Sequence, residues 1–350
     1  MRKMLLALAF LASPLLAQDK PFQEKANVNL VLLDVTVTDK SGHQILGLTK
    51  DDFVVRENGT SRSVDSADYF TNRRLLTSTE ENAPFPVERV RQERYFVILF
   101  QSVPDPEFQR RFRSDLQQAK RAAAEFIDKK MLPEDRVAVL GYDFRLKVFS
   151  DFTADKAQLR SSLDDAVSYS LGLKDVPANA GDVSILRNID RKKMIDGTGR
   201  IYDGLRLLGD ALRPIPARKV LILFSPGIGE PSSFSNDIAE PEELRYRPMV
   251  EALNSADVTV FPIHYLRDVQ FHATENTLSR LASETGGEFF HQVVSFSTPL
   301  KRIENASSGY YLLSYYTDRS NAGRFVPVDV KLKNPEFRVQ ARAGYGGSAQ

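Results

Sequence analysis

The sequence predicts an α/β fold: a doubly wound, mostly parallel sheet, with an additional small β-sandwich module formed by N- and C-terminal strands. Three observations predict it. Between Tyr95 and Ala306, strand-like apolar runs alternate with stretches at helical spacing, the order of a sheet joined by crossover helices. From Val28 to Phe70 and from Tyr310 to Ala343, short strand-like runs follow one another with turns but no helix between them. Finally, Tyr95-Phe96-Val97-Ile98-Leu99-Phe100 is apolar at every position. A strand buried on both faces of a parallel sheet requires that, whereas a half-solvated strand alternates.

At the start, Met1-Arg2-Lys3 precedes the apolar run Met4 to Ala12, then Pro14 and Ala17 before the polar Gln18-Asp19-Lys20. This is the grammar of a secretory signal cleaved near Ala17. The run is short for a membrane span, which needs about 20 residues. Val31, Leu33, Val35 and Val37 then alternate with Asp34, Thr36 and Thr38, a half-buried strand. Phe53 to Arg56 is a second strand, Glu57-Asn58-Gly59 a hairpin turn, and residues 63–70 a third strand. The polar stretch 71–92, with Pro84 and Pro86, reads as a linker.

In the α/β part, Phe108, Phe112, Leu116, Ala119, Ala123, Phe126 and Ile127 place one apolar stripe on a helix from Pro106 to Lys130. A strand from Arg136 to Tyr142 and its hairpin partner, Leu146 to Phe152, follow. Thr153 is the expected N-cap of a helix from Ala154 to about Ser170. Residues 171–196 are polar and irregular, an insertion or flap. A helix from Gly199 to Leu212 and a strand from Lys219 to Phe224 come next. The pattern then gives a helix from Glu242 to Ser255, a strand from Val258 to Tyr265, and a helix from Thr274 to Thr285 ended by Gly286-Gly287. A last strand is expected from Glu288 to Val293, then a short helix from Thr298 to Ala306. Three strands close the chain, Tyr310 to Tyr316, Val326 to Lys333 and Phe337 to Ala343. The chain thus divides into a signal peptide (1–17), an N-terminal β module (18–70), the linker (71–92), the α/β domain (93–307) and C-terminal strands (308–350). Because neither terminal set buries much core alone, the economical arrangement is one sandwich into which the α/β domain is inserted. The other arrangement is two independent appendages.

Composition narrows the function. The 350 residues carry a net charge of +1, so neither nucleic acid nor an anionic membrane is an evident electrostatic partner. Clusters such as Arg110-Arg111 and Arg191-Lys192-Lys193 read as solvated faces. There is no cysteine, so the fold has no disulfide, thiolate chemistry or Cys-based metal site. Beyond the leader no long apolar run exists, and no transmembrane segment is expected in the mature chain.

Several segments in a fixed order resemble bacterial exported proteins with a von Willebrand factor A-related domain, abundant in acidobacteria. The carriers are Val35-Thr36-Val37-Thr38-Asp39, Leu48-Thr49-Lys50-Asp51-Asp52-Phe53 and Glu57-Asn58-Gly59. They continue with Phe96 to Phe100, Pro133-Glu134-Asp135-Arg136, Arg218 to Ser225, Tyr310-Tyr311-Leu312-Leu313 and Arg342-Ala343-Gly344-Tyr345. The resemblance implies a Rossmann-like sheet with a ligand site at the carboxyl ends of its strands. In the family that site holds a metal through D-x-S-x-S after the first core strand, a Thr from a later loop and an Asp after the fourth strand. Three hydroxyls and two acids suit Mg²⁺, a hard cation that takes oxygen ligands.

Here that motif is degenerate. Gln101 stands where the leading Asp is implied, and the Ser positions fall on Val103 with Pro104 or Asp105. Pro226 stands near the later Asp, and Thr198 alone matches the Thr. No metal or other cofactor is therefore expected, and an improvised set from Ser102, Asp105, Asp143 and Asp196 is not expected either. The expected ligand surface comprises Gln101, Ser102, Asp105, Asp143, Thr198, Ser225 and Phe234, with the loops Gln101 to Glu107, 171–196 and Gly227 to Glu240 around it.

No nucleophile elbow, P-loop, dinucleotide fingerprint or zincin motif occurs, and Asp164-Asp165 point apart on a helix. Of the four histidines, only His264 and His272 could form a pair. The sequence therefore reads as a non-enzymatic, periplasmic or secreted protein-binding domain with an unidentified partner. The alternatives are a scaffold of an envelope assembly and a hydrolase using His264. Asn58-Gly59-Thr60 and Asn305-Ala306-Ser307 match a glycosylation acceptor pattern by chance, Asn58 serving as a turn residue.

Overall fold

The computed structural model describes residues 29–71, 93–102, 105–167, 176–178, 181, 183–229, 240–266, 272–317 and 325–346. The predicted leader, nearly all of the predicted linker, Val103, Pro104, Phe234 and part of the 171–196 insertion lie outside the described residues.

The chain begins with β1 (Asn29–Thr38), β2 (Phe53–Glu57), β3 (Thr60–Arg62) and β4 (Val64–Thr71). Next come β5 (Tyr95–Gln101), α1 (Pro106–Lys129), β6 (Arg136–Tyr142), β7 (Leu146–Thr153), α2 (Lys156–Val167), α3 (Ile185–Asn188), α4 (Arg191–Asp196) and α5 (Ile201–Leu212). The α/β part ends with β8 (Lys219–Ser225), α6 (Glu240–Ser255), β9 (Val258–His264), α7 (His272–Glu284) and α8 (Ser297–Ser307). Last are β10 (Gly309–Thr317), β11 (Phe325–Leu332), β12 (Arg338–Ala341) and β13 (Gly344–Gly346).

The central sheet has the order β7-β6-β5-β8-β9, all parallel except β7, which returns antiparallel to β6. Every residue of β5 is buried. Tyr95, Val97 and Leu99 pack on one face with apolar residues of α5, α6 and α7, and Phe96, Ile98 and Phe100 pack on the other with α1, α2 and α8. The uniformly apolar run is thus a strand with a core on each side. Helix α1 buries the predicted stripe from Phe112 to Ile127. It starts at Asp105, whose carboxylate accepts from Phe108 N at 2.7 Å, with Pro106 in the first turn. Such a cap contributes about 1 kcal/mol.

Two antiparallel sheets, β12-β1-β10-β4 and β13-β11-β2-β3, face each other across a core that includes Leu33, Val35, Val55, Tyr311, Leu313 and Tyr315. Strand β1 lies between β10 and β12, with Leu33 opposite Leu313, and β2 pairs with β11. N- and C-terminal strands therefore interleave, and within one set only β2 pairs with β3 and β11 with β13 among the described residues. At that hairpin Asn58 has φ 48°, the left-handed conformation that Asn tolerates.

The strand expected at 63–70 is β4, the one expected at 337–343 is β12 over residues 338–341, and β3 and β13 are further short strands. Four expectations are corrected. Thr36 and Thr38 are buried rather than solvated, since the second half of β1 is covered on both faces, with Thr36 Oγ1 donating to Ala306 O at 3.4 Å. The cap of α2 is Asp155, which accepts from Ala157 N (2.9 Å) and Gln158 N (3.1 Å), while Thr153 Oγ1 only accepts from Asp155 N. The described part of 171–196 contains α3 and α4, capped by Ser184 and Asp190. Residues 288–293 form no strand but a single bridge, Ile263 to Phe290. The tight end of α7, with Gly286 at φ 77° and Gly287 N donating to Ala282 O at 2.8 Å, and the positive φ of Gln292 (50°) leave no extended run between them. No helix among the described residues is long and apolar enough to cross a membrane.

Candidate functional site

Strand β5 continues to β6 on one side and β8 to β9 on the other, so the connections diverge between the carboxyl ends of β5 and β8. Open α/β sheets bind ligands in the crevice at such a switch point. Here the two strands end in Gln101 and Ser225, both buried.

The Gln101 amide is closed on itself by neighbours. Its Oε1 accepts from Ser225 Oγ at 2.7 Å, and its Nε2 donates to Gly227 O at 3.1 Å. Ser225 Oγ in turn accepts from Gly227 N at 3.0 Å, and Tyr265 OH donates to Gln101 O at 3.0 Å. The turn depends on Gly227, which has φ 126°; a Cβ there would lie 2.4 Å from Thr274 Oγ1. A neutral amide, a hydroxyl and two peptide groups therefore satisfy one another at the ends of β5 and β8.

His264 ends β9 beside Ser225. Its ring is buried, with Nε2 3.2 Å from Pro226 O, to which it donates as the Nε2–H tautomer, and Nδ1 3.8 Å from Glu275 Oε1. Burial lowers its pKa below 6.5, with Glu275 and the Pro226 carbonyl opposing. Its proton resonances are expected to titrate with a midpoint below 6.5 by NMR, and a midpoint at or above 6.5 contradicts this geometry. A depressed folded pKa means that the stability contributed by the neutral ring is complete above the unfolded value. It is lost as the pH falls through the folded one.

The other predicted residues divide between places. Ser102 and Asp143 line one small recess, where Asp143 holds Lys147 Nζ at 2.6 Å, so an ammonium already answers that carboxylate. Asp105 is committed to the cap of α1. Thr198 is buried; its hydroxyl donates to Met194 O (2.9 Å) and accepts from Leu146 N (3.0 Å), pinning the start of β7 to the end of α4. Asp196 is exposed, and Phe234 lies outside the described residues. The structure thus brings Gln101 to Ser225 and Ser102 to Asp143, and does not gather the set as one cluster. Among the described residues no group of three or more His, Cys, Asp or Glu could hold a metal ion. Gly227, Tyr265 and Glu275 belong to the crevice and were not singled out from sequence. Gly227 stood in the sequence only as the start of a loop, and nothing local marks Tyr265 or Glu275.

No family model matches the chain, and none of the curated proteins matches it. Among solved structures it is similar to a point mutant of the PilB minor pilin from Streptococcus sanguinis, at 12% identity and a TM-score of 0.43, covering 79% of each chain. It is similar to the vWF domain of the type V pili tip protein Mfa5 from Porphyromonas gingivalis, at 13% identity and a TM-score of 0.39, covering 60% of this chain and 93% of that one. A third is BatB, a conserved hypothetical protein from Bacteroides thetaiotaomicron, at 14% identity and a TM-score of 0.38, covering 61% and 96%.

Proposed function

We propose that the chain is an exported, non-enzymatic recognition protein of von Willebrand factor A-like architecture, acting through the loops at the carboxyl ends of its parallel strands without an adhesion metal. The observation that carries this proposal is the closed Gln101–Ser225–Gly227 arrangement at the switch point. A site for Mg²⁺ needs anionic oxygens turned outward. Here the groups that end β5 and β8 are neutral, and their polar atoms are spent on one another. His264, with a lowered pKa and its Nε2–H given to a backbone carbonyl, is a structural member of the same crevice rather than a base facing solvent. Recognition then falls to the segments that follow β5 and β8, of which residues 103, 104 and 230–239 lie outside the described residues, and the partner is a protein outside the cytoplasm. Export rests on the charged, apolar and small-residue succession of residues 1–17.

Calorimetric titration of the purified chain with Mg²⁺, Mn²⁺ and Ca²⁺ tests it. The expected result is no saturable heat with any of the three. A one-to-one isotherm, abolished by Ser225→Ala or Asp143→Asn, overturns the metal-free mode of recognition.

A further inference from the structure

At the opposite, amino ends of the parallel strands, the outer face of β1 and β10 stands over the starts of β5 and β8. A cleft of about 730 Å³ lies between them. That size is within the range of small-molecule sites, which favour junctions between packed units. Its apolar walls include Leu32 and Leu312 from the sandwich and Ile215 and Pro216 from the segment before β8.

The floor is cationic in an unusual way. Among the described residues Arg218 reaches no carboxylate: both terminal nitrogens lie 3.3 Å from the neutral Thr36 Oγ1, and its guanidinium carbon is 5.6 Å from the centre of the Tyr310 ring. Lys219 is buried, and among the described residues its Nζ donates only to Ile215 O, at 2.7 Å. Arg342 donates to Asp257 Oδ1 (3.3 Å), Asn254 O (3.3 Å) and Leu32 O (3.0 Å), while its buried Nε has no hydrogen-bond partner among the described residues. An ammonium taken out of water needs an anion or full hydrogen bonding, and buried Lys219 is left short of it, while half-buried Arg218 adds a second cation with no carboxylate in direct contact among the described residues. Acids also line the cleft, but Glu93 is engaged by Arg136 and Asp257 by Arg342. Asp34, facing Asp257 as well as Arg218, Arg342 and Lys219, has its pKa pushed up to about 6, first by burial and then by Asp257. Its charge is therefore the most readily surrendered of the group, and Lys219, lowered to about 8 mainly by burial, has most to gain from an added anion.

We propose that this cleft binds a small amphiphilic anion, a carboxylate or phosphate monoester on an apolar body, with the head group at Arg218 and Lys219 and the body against Leu32, Leu312 and Pro216. The site is independent of the recognition surface at the other end of the sheet, and either can fail without the other.

The test is a fluorescence titration of the full chain with 8-anilinonaphthalene-1-sulfonate, an aromatic body with one anionic group. One saturable site is expected, with dye displaced by octanoate or by octyl phosphate, the more effective competitor identifying the head group. Inorganic phosphate at the same concentration should leave the dye in place. R218Q is expected to weaken dye binding at least tenfold. Because Arg218 also touches Thr36 and Tyr310, the opposite wall provides a second variant, L32E. Leu32 is 45% exposed, so the fold should tolerate the change, and the new carboxylate should weaken binding at least tenfold. Absence of a saturable site, equal affinity in the wild type and both variants, failure of both amphiphiles to compete, or competition by inorganic phosphate equal to that of octyl phosphate each overturns the proposal.

Discussion

Replacing Glu57 by alanine is expected to cost about 3–5 kcal/mol of folding stability, the range for removing one partner of a buried ion pair. Glu57 has no exposed surface, and it ends β2 inside the sandwich core. Its carboxylate accepts from Arg62 Nε (2.9 Å), Thr317 Oγ1 (2.9 Å), Tyr345 OH (2.6 Å) and Tyr315 OH (3.3 Å). Two of these partners lie on β10 in the facing sheet, so the one side chain bonds across the sandwich. Alanine would leave the Arg62 guanidinium, itself only 17% exposed, and three hydroxyls without their acceptor. Glutamine should lose less, because one carbonyl oxygen remains, but its amide hydrogens would face donors. Urea-induced unfolding followed by circular dichroism measures both, and a loss below about 1 kcal/mol for alanine would contradict this account. The pH dependence is also fixed in sign. Burial pushes the Glu57 carboxyl up, but the bonds from Tyr345, Thr317 and Arg62 outweigh it and hold its pKa below 4.5. The stability it contributes is therefore present above that value and is lost as the pH falls through the folded pKa, where wild type and alanine variant should converge.

Asp135→Ala is expected to cost a similar amount, about 3–5 kcal/mol, for a related reason. Arg94, just before β5, donates from Nε and Nη2 to the two oxygens of Asp135, just before β6, each at 2.7 Å, and both side chains are buried. The guanidinium carbon also lies 5.1 Å from the centre of the Phe96 ring, and Asp135 Oδ2 accepts from Leu132 N at 2.7 Å. The pair sets the entry of two neighbouring parallel strands in register, with Arg136 N donating to Arg94 O at 2.9 Å. Alanine would strand a buried guanidinium and an amide together, whereas asparagine keeps acceptors for one of them and should cost less. Thermal and urea unfolding of the two variants give the comparison, and equal losses in both would mean that the charge is not what matters.

Much of the architecture could be read without coordinates because it depends on local regularities. A fully apolar run of six residues before Gln101 can only be buried on both faces, and the spacing from Phe112 to Ile127 can only place one stripe on a helix. Asn58-Gly59 carries its turn in its own backbone preference. The residue types at the switch point, Gln101 and Pro226 where acids are implied by the resemblance, were equally visible.

The rest was decided by partners distant in sequence. Period 2 in β1 shows which side is apolar, but not that β10 and β12 would flank it from some 280 and 300 residues away, nor that α8 would cover Thr36. The stretch 288–293 has strand-like residues, yet only one bridge to β9 forms after the tight end of α7. Glu57 reads as a hairpin-turn residue in sequence and is a buried link between sheets in the fold, because Thr317 and Tyr345 arrive from the other end of the chain. Likewise the sequence shows that Gln101 is not an acid, but only the tertiary structure shows that its amide is tied to Ser225 and Gly227. Side-chain burial and hydrogen bonding are properties of the assembled neighbourhood, and no local pattern encodes a neighbour more than a hundred residues away.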